Sequence, residues 1–576
     1  MATSGANGAV YDVGVIGGGF TGPLLAAVLA RAGVRTVLLA PGDGHSAGPV
    51  PDVAVGETVV PYASALLRVV ARRYDVPELE ALATLKGVER DVSPRCGVMR
   101  NMGFVLHREG LRQHPGEVYQ VVNPKVVADP PHLWREDTDG YLLDVARHHG
   151  ADVRTGPGAR VEKVRIDPEA GAWLRTADGT ACEVRYVVDA DGRGSPLARE
   201  LGLREDPPAP RHRSRTLFTR MTGVLPYDQT PAGRLHGQPS PWHEGTLHHV
   251  FDGGWLRVVP FGNQRRSSPG SPCAVALTLD ARRHPFAEGR PAEEELRAVL
   301  RRFPDIGAQF ERAVAAGPWT STGRRSQYSR RQPVGDRYCL AAHAAGFVDP
   351  LYARGPAYSL EVVNGLARPL IDAARDGDWS TARFRHVADL QRRLLAAQDD
   401  LAYASFVAFR DHALFNAVVR VWTLGTVLGA LAVEDACAAF GRTGDDTVFH
   451  ALEPGRRPGA PSAGADHFGS LGPLARTLCE EVERGVRTPR DAADHLFAAL
   501  RAADYVPPSL GLADPTDRFF HNTPARLLRA AHWVRTEAPE ETAALLKSAM
   551  GGLVRERFAG RRRRQGDSKW SRRTAR

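Results

Sequence analysis

The apolar positions of this chain come in two rhythms. Val13, Val15 and Ile16 form a run short enough for a buried strand, and residues 17–22 (GGGFTG) break it with a turn. An apolar segment of helical length follows, then a second β-branched run from Val34 to Leu39. Strand, glycine turn, helix and strand in that order predict a dinucleotide-binding βαβ unit. Short β-branched runs alternate with helices through about residue 375, whereas residues 380–450 and 467–560 read as helices. A polar loop (262–272) and a Pro/Gly/Ala linker (454–466) interrupt the pattern. The expected architecture is α/β (α+β overall). A Rossmann-like domain over residues 1–378 carries an inserted antiparallel substrate sheet, roughly 90–180 and 205–330. A helical C-terminal domain (379–560) and a disordered basic tail (561–576) complete it.

Composition changes this picture little. The chain of 576 residues has a formal charge of +9, but the tail RRRRQGDSKWSRRTAR alone holds +7. The remainder is nearly neutral, so the charge reads as a solvated tail and no nucleic-acid partner is expected. Residues 421–433 are apolar but bounded by Arg420 and Glu434, too short to span a bilayer, so no membrane association is expected. Six widely spaced cysteines (Cys96, Cys182, Cys273, Cys339, Cys437, Cys479) form no CxxC pair and read as reduced thiols of a cytoplasmic protein. His236, His243, His248 and His249 lie close in sequence. Only Glu244 stands near them at ligand spacing, so they read as surface histidines, with a substrate-side polar wall as the alternative, and no metal is expected.

Within the glycine turn, Gly17 permits the tight bend, Gly19 lets backbone approach a pyrophosphate, and Gly22 lets helix and strand pack closely. Phe20 and Thr21 start the helix, whose free N–H groups attract phosphate. The acidic residue expected at the end of the second strand is missing, because that strand ends Leu39-Ala40-Pro41; Asp43 is the nearest substitute. Residues 186–195 (YVVDADGRGS) end a strand in Asp189 and turn through Asp191-Gly192-Arg193. Residues 338–363 lead from a strand through Asp349-Pro350 to Gly355 at the start of an apolar helix. Tyr352, Tyr358 and His107 are the acid–base candidates nearby.

These segments resemble the FAD-dependent halogenases (tryptophan-halogenase-like) and flavin monooxygenases of the glutathione-reductase and hydroxybenzoate-hydroxylase fold. Further likeness lies in Gly56-Glu57-Thr58 with Val60-Pro61, in residues 251–261 (FDGGWLRVVPF), and in residues 96–110 and 347–355. The last two resemble the long actinobacterial tetracycline-halogenase-like branch. Ala342-His343 stand where the family carries Gly-Asp.

The resemblance implies bound FAD, supplied reduced by a separate flavin reductase, with O2 and a candidate chloride as co-reactants. It also implies a small-molecule or carrier-bound secondary-metabolite substrate, as in antibiotic biosynthesis. In the family a buried lysine holds the oxidant, a glutamate near the flavin supports it, and two tryptophans block direct oxygenation. Here Glu57 and Trp255 match, Arg257 replaces the second tryptophan, and Met99 opens the strand where the branch has its lysine. A thioether donates no hydrogen bond. The expectation is therefore an FAD-dependent oxygenation or oxidation. Two alternatives stay open: halogenation served by Lys86, about 30 residues past the Gly-Glu-Thr element, and a non-catalytic FAD-binding homologue. Lys86, before Gly87, reads as the exposed end of a helix.

Overall fold

The computed structural model describes residues 11–42, 58–124, 129–264, 271–452, 470–549 and 551. Gly56, Glu57, Asp43, the 454–466 linker, residues 265–270 and the basic tail lie outside them.

Two sheets organise the fold. In the first, strands Tyr338–Leu340, Ala181–Asp189, Tyr11–Ile16, Thr36–Ala40 and Asp152–Thr155 run parallel in that order. The inner strands Tyr11–Ile16 and Thr36–Ala40 are buried on both faces, against helix Thr21–Arg31 on one side and residues 161–176 on the other. Helix Thr21–Arg31 crosses from the first strand to the second, while Ala181–Asp189 lies on the first strand's other side. That reversal of direction opens a crevice at the carboxyl ends of the two strands, the usual ligand position in such sheets. A hairpin, Val161–Asp167 and Gly171–Thr176, pairs antiparallel with Ala181–Asp189. Residues 152–176 therefore extend the first sheet, not the insertion where their sequence position suggested. Their apolar side chains Val161, Val164 and Leu174 pack beneath Ile16, Val37 and Leu39.

The second sheet is ordered Val314–Ala315, Ser214–Thr222, Cys273–Asp280, Gly254–Pro260, Thr246–Phe251, Asn101–His107, Val118–Val122, Phe519–His521. It is mixed and not wholly antiparallel. Thr246–Phe251 runs parallel to Asn101–His107, and Phe519–His521 runs parallel to Val118–Val122. The last strand comes from the otherwise helical C-terminal region and covers an edge that would otherwise expose unpaired backbone groups. Arg420, buried, donates to the carbonyls of Gly511 (2.8 Å) and Asp517 and so ties the preceding loop to the long helix His412–Thr443.

That helix starts where the Asp411 side chain accepts from Leu414 N at 3.1 Å, and it stops at Gly444 with φ 67°. Contrary to the sequence reading, it is long and apolar enough to cross a bilayer, yet 78% of its most apolar stretch is buried inside the protein, as a core helix would be. One continuous apolar cluster runs from Val13 through Phe104 and Trp422 to Phe497, joining both sheets to the C-terminal helices. The six cysteines are buried.

Candidate functional site

Three backbone segments close around the crevice. Gly17 has φ +110°, and a Cβ there would stand 2.8 Å from the backbone of Ala190 and Asp191. A Cβ on Gly22 would stand 2.0 Å from Gly17 O. Both positions need glycine. Gly19 is exposed, and its nearest neighbour would be Arg135 Nη2 at 3.9 Å. Phe20, at the start of helix Thr21–Arg31, provides no side-chain cap, so the first-turn N–H groups are left for an anion. Thr21 Oγ1 donates to Ser359 Oγ at 2.9 Å, joining this helix to Gly355–Asp376. The loop, the uncapped helix start and the adjacent guanidinium fit a dinucleotide pyrophosphate.

Asp189 organises the second segment. Its carboxylate accepts from Asp191 N (2.9 Å), Ser195 Oγ (2.9 Å) and Leu197 N (3.0 Å). Ala190 and Asp191 are thereby held against Gly17, and Gly192 continues the turn with φ 65°. In the third segment, buried Asp349 accepts from His212 Nε2 and Ser214 Oγ, both at 2.8 Å, and from Leu351 N at 2.9 Å. Its oxygens are committed to fixing the turn beyond Pro350. There Tyr352 (φ 66°) and Ala353 (φ 52°) adopt the left-handed region, a strained geometry for non-glycine residues. Glu361 accepts from Tyr62 Oη (2.6 Å) and Arg354 (3.2 Å), which ties the turn to the helix after Val60-Pro61. Helix Gly355–Asp376 again begins without a side-chain cap. The His343 ring would lie 3.6 Å from a Cβ on Gly355. Burial, and secondarily the charge of Arg135, push His343 down to about 4. Arg135 thus sits between the glycine loop and His343, held by Asp139 at 3.0 Å. No sequence motif marks it.

The catalytic candidates gather around residues 129–132. Val59 N donates to Pro131 O, Leu85 N to Asp129 O (2.8 Å) and Met99 N to Pro130 O (2.9 Å). Glu57 itself is outside the described residues. Thr58, next to it, is buried against Thr246 (Oγ1 to Oγ1, 2.8 Å) and bridges to His132. Lys86 is exposed as expected, but it lies in the first turn of helix Leu85–Asp91, at the N-terminal end and not the C-terminal one. Thr84 caps that helix by accepting from Gly87 N at 3.1 Å. Gly87 is small because Ala81 O would stand 2.3 Å from its Cβ. Met99 precedes the strand and packs into the main core, 2% exposed, where its sulfur accepts from Asn123 Nδ2 at 3.3 Å. Trp255 and Arg257 are buried on strand Gly254–Pro260. Burial first and Arg257 second keep His248 near 3; burial chiefly, with Arg257 adding to it, holds His132 near 4.

An aromatic wall lies between the Asp349–Gly355 turn and the second sheet. Phe104 stacks on His248 (centroids 4.8 Å, 15°) and touches Tyr352, Phe415 and Trp422 at 5.7–5.9 Å. Tyr352 stacks on Trp422 at 4.8 Å and shares a 2.7 Å hydrogen bond with Ser405. Tyr358 is buried beside His343.

The sheet's opposite face corrects the surface reading of the histidines. His236, His248 and His249 are buried, and only His243 is partly exposed, against Asp228 at 2.7 Å. His107 Nε2 meets His249 Nδ1 at 2.9 Å, His249 Nε2 meets Gln309 at 2.8 Å, and His236 meets Gln113 at 2.8 Å. Strand alternation sends His249 to this face and His248 to the other. Among the described residues no group of three His, Cys, Asp or Glu is placed to hold a metal.

A dinucleotide crevice joined to a second sheet by an aromatic wall defines a flavoprotein of the two-sheet type. No protein-family profile matches the chain. Tetracycline 7-halogenase of Kitasatospora aureofaciens is 37% identical over 545 residues, covering 94% of this chain and 95% of that protein. Monodechloroaminopyrrolnitrin halogenase PrnC of Pseudomonas fluorescens is 35% identical, covering 92% and 93%. The crystal structure of halogenase PltM in complex with phloroglucinol and FAD superposes with TM-score 0.81 at 30% identity, covering 88% of this chain and 99% of PltM. The chain belongs to the flavin-dependent halogenase family. The expectation of oxygenation in place of halogenation finds no support in these relatives.

Proposed function

We propose that the protein is an FAD-dependent halogenase that oxidises chloride and installs it as chlorine, in exchange for a proton, on an electron-rich small-molecule secondary metabolite, receiving reduced FAD from a separate reductase. The observation that supports this reading is that the backbone of residues 129–132 holds Leu85, which precedes exposed Lys86, and Thr58-Val59 beside the second sheet. Bound and reduced, FAD with O2 supplies the two-electron oxidation that turns halide into an electrophilic halogen donor. The chain's own residues do the rest. Gly17, Gly19, Phe20, Thr21 and Gly22 present backbone N–H groups to the pyrophosphate, and Arg135 balances its charge. Asp191 and Gly192 shape the second wall, and Asp349 with Pro350 fixes the turn leading into Gly355. Lys86, exposed at the start of its helix, is the amine assigned to reach toward the halogen donor, and Glu57 is the carboxylate assigned to support it. Trp255 and the aromatic wall exclude water from the reacting carbon.

The test is incubation with FAD, a flavin reductase, NADH, O2 and bromide or chloride, using phloroglucinol as acceptor and mass spectrometry as readout. A halogen-substituted product, lost in Lys86→Ala while FAD binding and folding persist, is the expected result. A hydroxylated product without halogen, or full activity in Lys86→Ala, overturns the reading.

A further inference from the structure

We infer that His248 selects the substrate by accepting a hydrogen bond from a hydroxyl on an aromatic ring, with Trp255 donating to that same oxygen. This rests on the halogenase reading and names the substrate class of its site: phenols, as opposed to aryl ethers. The tautomer follows from chemistry. His248 Nδ1 lies 3.2 Å from Gly103 O, and a carbonyl can only accept, so the ring proton is on Nδ1. Nε2 is therefore a bare lone pair. The ring is fully buried, yet among the described residues Nε2 has no partner. Trp255 Nε1, on a ring 5.6 Å away by centroid, is a buried donor also without a partner there.

Buried polar atoms left unpaired are costly, and an orphan acceptor beside an orphan donor calls for a group that is both. A phenolic hydroxyl is both; a methoxy oxygen can only accept. The position suits this role. His248 stacks on Phe104, which touches Tyr352 of the flavin-side turn, and it pairs across the strands with Arg257, close to the His132–Thr58 bridge. It stands between the two segments that the reaction needs. Accepting from the phenol also pushes electron density into the ring that an electrophilic halogen attacks.

The test uses FAD-loaded full-length protein, with phloroglucinol and 1,3,5-trimethoxybenzene as probes in calorimetric titrations and halogenation assays. Wild type should bind phloroglucinol at least tenfold more tightly. His248→Phe keeps the stacking surface, and His248→Asn keeps a donor for Gly103 O; each removes the Nε2 acceptor and should abolish that preference, leaving the ether's affinity unchanged. Trp255→Phe should weaken both probes, since an ether oxygen also accepts from the indole. His248→Gln, which restores an acceptor, should recover part of the preference. A folded, FAD-loaded His248→Asn protein with wild-type phloroglucinol affinity overturns the proposal, because the orphan pair is then served by water. Wild-type binding of neither probe, or of both equally, overturns it as well. If the binding pattern holds but neither probe acquires halogen, the halogenase reading fails and the phenol site stands.

Discussion

Replacing Gly22 by alanine and Gly19 by valine separates the two roles of the glycine loop. A Cβ at Gly22 would lie 2.0 Å from Gly17 O and 3.1 Å from Gly17 C, backbone atoms that cannot swing aside. Helix Thr21–Arg31 must move off the first strand, and overpacking of this kind costs about 1–3 kcal/mol. At Gly19 the nearest atom would be Arg135 Nη2 at 3.9 Å, at the end of a flexible side chain, and the residue faces outward. Valine there should leave the unliganded fold within about 0.5 kcal/mol of wild type. Its branched side chain would stand where the pyrophosphate meets the loop, so FAD affinity should fall at least ~100-fold, or about 2.7 kcal/mol. Thermal unfolding with and without FAD reads both effects, because a ligand at 100 times its Kd stabilises by about 2.7 kcal/mol. Wild type should gain that increment and Gly19→Val should not, while Gly22→Ala should have a lower Tm even without FAD. A folded Gly19→Val protein with wild-type FAD affinity would refute the placement of the pyrophosphate at this loop.

Met99→Leu should retain halogenation and cost less than ~1.5 kcal/mol as a volume-conserving swap, whereas Met99→Lys buries an ammonium and should destabilise by several kcal/mol; loss of activity in a stable, FAD-binding Met99→Leu protein would return this residue to the reaction channel. His236 and His249 are held near 4 by burial, so the unfolded chain binds more protons than the fold between roughly pH 6.5 and pH 4. Stability should be full above pH 7 and decline by about 2 kcal/mol per histidine by pH 5, measured by denaturant titration; a flat profile over that window would show the imidazoles to be hydrated. Stopped-flow mixing of the FAD-loaded protein with NADPH alone should leave the flavin oxidised, since only one dinucleotide fingerprint is present; bleaching within a turnover would remove the need for a reductase.

What could be read along the chain was what local chemistry enforces. The glycine loop was legible because φ at Gly17 and the contact at Gly22 forbid a side chain whatever the rest of the molecule does. The Asp-Gly turn was legible for the same reason, since Gly192 has φ 65°. Arg135 was not, since its place beside Gly19 depends on a helix more than a hundred residues downstream crossing the loop. The parallel pairing of Thr246–Phe251 with Asn101–His107, and the strand Phe519–His521 lent by the C-terminal region, are long-range choices that no run of apolar residues announces. Thr84 caps the Lys86 helix at its start, and Gly87, which has the sequence signature of a helix terminator, is instead a place of close packing against Ala81.

Arg257 shows most clearly why a departure from a family signature needs three dimensions to interpret. In the sequence it reads as a lost indole wall, hence as lost halogenation. In the structure its fixed positive charge adjoins His248 and His132, where burial already disfavours the imidazolium and the neighbouring cation disfavours it further. A protonated His248 would have no lone pair at Nε2 and would repel a cationic partner. A neutral one accepts. Burial chiefly, with the arginine adding to it, keeps the acceptor available, and Phe104, Tyr352, Phe415 and Trp422 set aromatic rings on the same side. Replacing Arg257 by methionine should raise the His248 pKa toward its ordinary value and lower phloroglucinol affinity only at acidic pH. Equal loss at every pH would mean that Arg257 touches the substrate itself.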